Sequence, residues 1–164
     1  MRSEFVSPEM IEHVLWALTP QNRLVCRVCL KTGLRVGDVL NLRTSALRER
    51  ISITEQKTGK KRTCYIGKSL LSDLKDQAGE VFVFEHRYDV NKHKTRQAVY
   101  ADLKRAAKAF RVKENLSPHS LRKVYAVELF RKSGDLEKVR QALNHDSDVV
   151  TVIYALADAL QRKK

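Results

Sequence analysis

Apolar residues in this chain recur mostly at three- and four-residue spacing, the period of helices that turn one face to a core. Ile11, Val14, Leu15 and Leu18 follow Ser7 and Pro8, a cap and a first-turn proline, so a first helix is predicted there, stopped by Thr19-Pro20. Leu24, Val25, Val28 and Cys29 predict a second helix ending at Gly33, where a left-handed turn would deliver Arg35 to the start of the next segment. Val36, Val39 and Leu40 predict a short third helix. The period then changes. Ile51 and Ile53 alternate with polar residues as in a strand, Lys57-Thr58-Gly59-Lys60 reads as a turn, and Thr63 to Ile66 supplies a return strand.

Helical spacing resumes with Leu70, Leu71 and Leu74, followed by a short apolar strand or extended piece from Val81 to Phe84. Val99, Leu103, Ala106, Ala107 and Phe110 mark a longer helix, and Ser117-Pro118 precedes one running from about His119 to Lys132. Gly134-Asp135 opens another with Val139 and Leu143, and Val149, Val152, Ile153, Leu156 and Leu160 form a last stripe. No repeat, low-complexity tract or linker divides the chain. The fold class expected is mainly α with a small β-hairpin, in a single domain spanning residues 1–164, a length that suits one hydrophobic core.

Charge narrows the partner. Lys and Arg number 32 against 19 Asp and Glu, a formal charge of +13, which favours a polyanion and most simply nucleic acid. The sequence carries no signal peptide or apolar run of membrane-spanning length, so a cytoplasmic protein with no membrane partner is expected. The three cysteines form no even disulfide framework. Cys26 and Cys29 are spaced C-x-x-C but sit inside a helical apolar pattern without a second ligand pair, so they are expected to be core thiols, with no metal site. His13, His86 and His93 are expected at the surface, and Met1 to Phe5 is assigned no role.

Six residues carry candidate chemistry: Arg35, Lys57, His119, Arg122, His145 and Tyr154. A tyrosine hydroxyl is a poor nucleophile at neutral pH unless its phenolate and the phosphate it attacks are both stabilised. Tyr65, Tyr88, Tyr100 and Tyr125 all precede the last two helices, so Tyr154 alone lies beside the final stripe, and the stripe can pack without it. Arg35 and Arg122 are candidate clamps, because a planar guanidinium matches two phosphate oxygens. His119 stands three residues before Arg122 at a helix start and shares its face. Lys57, near the hairpin tip, could protonate a leaving oxygen, or could join Lys60, Lys61 and Arg62 in a basic binding turn. His145 falls between two helices and either donates to a non-bridging oxygen or caps a helix. Asp38 either orients a clamp or caps its own helix.

These residues fall within five ordered segments: Thr32-Gly33-Leu34-Arg35-Val36-Gly37-Asp38-Val39-Leu40, Lys57-Thr58-Gly59-Lys60, Pro118-His119-Ser120-Leu121-Arg122-Lys123, Ala142-Leu143-Asn144-His145 and Ile153-Tyr154. Together they resemble the catalytic domain of the tyrosine recombinase, or phage integrase, family, over nearly the whole chain. The resemblance implies that Arg35 and Arg122 hold the scissile phosphate, Lys57 is the general acid, His119 and His145 assist, and Tyr154 attacks. It implies double-stranded DNA as the partner, contacted also by Lys60, Lys61, Arg62 and Lys123, with a homotetramer assembled on DNA and the tail from Ala155 to Lys164 packing on a neighbour. It implies a 3′-phosphotyrosyl intermediate, no cofactor and a nucleoid-associated location.

Two positions depart from the family pattern: glycine is frequent where Asn144 stands, and glutamate where Asp38 stands. The amino-terminal core-binding domain usual in the family is absent from residues 1–164. A type IB topoisomerase-like enzyme and a DNA-binding module without catalysis are the alternative readings.

Overall fold

The structure, a computed structural model, describes residues 6–144; His145, Tyr154 and the stripe from Val149 to Leu160 lie outside the described residues. The first helix, α1 (Pro8–Trp16), begins where Ser7 accepts a hydrogen bond from the Met10 amide, and α2 (Pro20–Thr32) ends on Gly33 at φ 67°. The left-handed turn throws the chain across the end of α2, and Arg35 becomes the extended residue that starts α3 (Val36–Leu40). Val25, Cys26, Val28 and Cys29 are all completely buried, which makes α2 the central helix of the core. The cysteines are free thiols, and burial pushes Cys29 up to about 12.

The alternating segment forms β1 (Arg50–Thr54), paired antiparallel with β2 (Lys61–Tyr65), Ile51 opposite Cys64 and Ile53 opposite Arg62. Their buried side chains pack on the helical core, and the connecting turn carries Lys57. Beyond α4 (Lys68–Gln77), Val81 to Phe84 makes no full strand: Phe82 forms an isolated bridge with Arg43, and Phe82, Val83 and Phe84 are buried. The strands come later, as β3 (Glu85–His86) and β4 (Asp89–His93), a second antiparallel hairpin that the apolar pattern did not predict. Its residues are half-exposed or exposed and, apart from Val90, polar, so pairing here leaves no hydrophobic alternation to read.

Three further helices complete the described chain: α5 (Arg96–Ala109), α6 (Pro118–Ser133) and α7 (Leu136–Ala142). Phe110, expected in the α5 stripe, caps the helix and is exposed. The start of α2 has no side-chain cap of its own. Asp102 of α5 supplies one across the fold, accepting from the Thr19 amide and hydroxyl, each at 2.9 Å, and from Asn22 Nδ2 at 2.8 Å. Arg105 holds its other oxygen at 2.6 Å. Among the described residues no helix is long and apolar enough to cross a membrane.

Candidate active site

Helices α3 and α6 and the β1–β2 turn meet around an open cleft of about 420 Å³, lined by Arg35, Lys57, His119 and Arg122. Four of the six chemical candidates, drawn from three separated segments, therefore share one cleft. Pro118 and His119 are the first residues of the 16-residue α6, so the positive end of its dipole also faces the opening. The Ser117–Ser120 capping box fixes that helix start.

The two arginines are held differently. Arg122 is 1% exposed; its Nη1 donates to the Gly33 carbonyl and its Nη2 to the Leu143 carbonyl at 2.7 Å. These bonds fix the guanidinium plane on the cleft floor, between the ends of α2 and α7. Arg35 is more open, with its side chain 21% exposed, and its Nη1 donates to Glu55 Oε2 at 2.8 Å.

Asp38 does not cap its helix. Its Oδ1 accepts from the Gln56 amide at 2.9 Å, which ties α3 to the residue before Lys57. Burial raises the Asp38 carboxyl, the Gln56 bond opposes that, and the nearby Glu55 charge adds to it. Asn144 adopts φ 51°, the left-handed region that glycine favours and asparagine tolerates better than most residues, so the departure from glycine keeps the backbone conformation.

Two of the residues expected to contact DNA are largely buried. Arg62 has a side chain 11% exposed, donates to the Thr32 carbonyl and faces Glu55 at 3.6 Å; it braces the hairpin against α2 instead of reaching outward. Lys123 is 7% exposed, because the α6 face that follows Arg122 turns into the core. Lys57, Lys60 and Lys61 are exposed on the turn and the start of β2. His145 and Tyr154 lie outside the described residues.

The sequence motifs missed two residues. Arg96, the first residue of α5, lines the cleft, and only the packing of α5 against α3 brings it there. Glu55 is fully buried beneath Arg35, and a signal for it existed: positions 51, 53 and 55 share the inward face of the β1 alternation. Burial raises the Glu55 carboxyl, yet the Asn144 side chain and the Arg35 charge outweigh it, and the net shift is downward. Among the described residues no group of three or more His, Cys, Asp and Glu is arranged to hold a metal ion.

Comparison with known proteins adds four findings. The sequence profile described as the phage integrase family matches residues 4–160. A tyrosine recombinase of Thermosipho africanus is 26% identical over 162 residues, covering 92% of this chain and 56% of that protein, so the chain spans about half the length of this relative. The crystal structure of XerA recombinase superposes with a TM-score of 0.77 at 20% identity, over 100% of this chain and 66% of that one. A lambda integrase tetramer bound to a Holliday junction gives 0.71 at 22% identity, over 90% and 48%. At these identities the structural likeness establishes the fold.

Proposed function

This chain belongs to the phage integrase family, and from that premise we propose that residues 1–164 are the catalytic domain of a site-specific DNA recombinase. The observation that carries the reading is the convergence of Arg35, Lys57, His119 and Arg122 on one cleft at the positive end of α6. A phosphodiester seated there meets two guanidinium groups, an imidazole and an ammonium, a set suited to the extra negative charge of a pentavalent phosphate.

Tyr154 attacks the scissile phosphorus, forming a 3′-phosphotyrosyl bond as the bond from phosphorus to the 5′ oxygen breaks. Lys57, exposed on its turn, gives its proton to the departing 5′ oxygen. The phenolic proton passes to solvent or an imidazole, with His119 in the cleft and His145 the candidate outside the described residues. Attack by a 5′-hydroxyl from another strand reverses the step. The phosphotyrosyl bond conserves the energy of the phosphodiester, so the chemistry calls for no nucleotide and no metal.

Exchange between duplexes requires several protomers on DNA, and four is the number that a Holliday junction bound by a lambda integrase tetramer supports. A cytoplasmic, nucleoid-associated location follows from a DNA substrate. The test is covalent trapping on a nicked duplex from DNA flanking the gene, with wild type and Tyr154→Phe resolved on a denaturing gel. A slow band absent from the mutant is expected. Binding at low salt without any adduct would replace this reading with a DNA-binding module.

A further inference from the structure

A strongly basic chain buries one carboxylate directly behind its cleft. Glu55 is 0% exposed, and a carboxylate survives such burial only where cations and donors surround it. Its Oε2 accepts from Arg35 Nη1 at 2.8 Å and from Thr58 Oγ1 at 3.2 Å, while Oε1 faces Arg62 Nη1 at 3.6 Å. Its backbone closes the turn as well: the Glu55 amide donates to the Lys60 carbonyl at 2.9 Å, and the Gly59 amide donates to the Glu55 carbonyl at 2.8 Å. One residue thus grips a phosphate clamp with its side chain and, with its backbone and Thr58, the turn that carries Lys57.

We propose that Glu55 is a positioning residue: it holds the Arg35 guanidinium and the Lys57 turn in one fixed relation, so that clamp and proton donor address the same phosphate. The inference rests on the recombinase reading above. Glu55 cannot touch DNA, since it has no exposed surface, and it acts through the partly open Arg35. The pair therefore has an inner end anchored in protein and an outer end at the cleft. Asp38, bonded to the Gln56 amide, secures the same turn from α3, and between them the two carboxylates leave the turn little freedom to slide. A competing reading, in which Glu55 occupies Arg35 at the expense of phosphate, predicts the opposite kinetic sign.

The experiment is single-turnover cleavage of the nicked duplex by the whole chain, comparing wild type, Glu55→Gln, Arg35→Lys and the double variant, with DNA affinity and unfolding temperature measured alongside. Glu55→Gln is expected to cleave about 10–100-fold more slowly, the usual range for loss of a group that orients a reacting one, with DNA affinity unchanged. Added to Arg35→Lys it should cost clearly less than the product of the two single deficits, because part of its effect runs through the same guanidinium and the rest through the Lys57 turn. Thr58→Val, a milder change on an exposed residue, should slow cleavage about tenfold, the low end of the rate equivalent of one hydrogen bond to a charged group, and it carries the test if Glu55→Gln does not fold, with cleavage at the wild-type rate overturning the inference.

Cleavage by Glu55→Gln as fast as or faster than wild type would overturn the inference alone, as would a deficit that multiplies fully onto Arg35→Lys. Absence of any Tyr154-dependent adduct from wild type would overturn the recombinase reading and this inference with it.

Discussion

Gly33 and Gly134 allow a steric argument to be measured against its own control. Both end helices in the same left-handed conformation, φ 67° and ψ 12° against φ 64° and ψ 10°. A Cβ at Gly134 would meet nothing within 4 Å, whereas one at Gly33 would run into the ring of Tyr125. Tyr125 cannot swing aside cheaply, because its ring is half-buried and its hydroxyl interacts with Arg62. Alanine in the left-handed region costs about 1–2 kcal/mol, partly offset by the stiffer unfolded chain at about 0.4–1 kcal/mol, so Gly134→Ala should lose about 1 kcal/mol. At Gly33 the overlap adds about 1–3 kcal/mol of overpacking, for a total of about 2–4 kcal/mol. With about 2–4 °C of melting temperature per kcal/mol at this chain length, the expected drops are about 2–4 °C for Gly134→Ala and about 4–16 °C for Gly33→Ala. Calorimetry on both variants, and on Gly33→Ala in a Tyr125→Ala background, checks this. In that background the extra cost at Gly33 should vanish. Equal drops for the two glycine variants, or no coupling to Tyr125, would refute the argument.

The remaining predictions concern charge. Asp102 is held down to about 2 from an ordinary 3.8: burial opposes the shift, and the bonds from Asn22, Thr19 and Arg105 overcome it. Because the folded value is depressed, its contribution of about 2 kcal/mol is present above pH ~4 and lost as pH falls towards ~2. Urea denaturation across that range should show the loss in wild type and a flatter acid limb in Asp102→Asn. Lys60 and Lys61 are exposed at the hairpin while Lys123 is buried. Replacing both hairpin lysines with alanine should reduce the slope of log affinity against log salt by about 0.9 for each phosphate no longer neutralised, and Lys123→Met should leave the slope unchanged. A slope that responds to Lys123 would contradict its burial.

Much of this fold is local information. Ser7-Pro8, Gly33, Ser117-Pro118 and Gly134-Asp135 punctuate helices by capping chemistry that needs no knowledge of the rest of the chain, and each boundary appears where that chemistry puts it. The strand period of Ile51 and Ile53 and the turn after it are equally local. The second hairpin was illegible for the same reason: residues 85–93 pair through backbone bonds while presenting mostly polar side chains and leaving Tyr88 and Val90 exposed, and a hydrophobic pattern cannot report pairing that buries so little.

The candidate site divides along a similar line. Side-chain identity and motif order sufficed to nominate Arg35, Lys57, His119 and Arg122, because phosphate chemistry demands those groups. What each cation does was decided by its neighbours. Arg62 and Lys61 are adjacent in sequence and alike in charge, yet one braces the carbonyl of Thr32 and the other faces solvent, since strand alternation turns them to opposite faces of β2. Glu55 sat in plain view just past β1, in step with its inward face. Only the approach of α3, which sets Arg35 against it, turns an improbable buried charge into part of the site. Sequence by itself determined the helices among the described residues and the first hairpin, and it nominated the candidate groups at the cleft, because those readings depend on residue type, spacing and capping within a few residues. Tertiary structure decided which charges face the cleft, which are sealed behind it and that Arg96 joins them, because burial and pairing depend on segments distant in the chain.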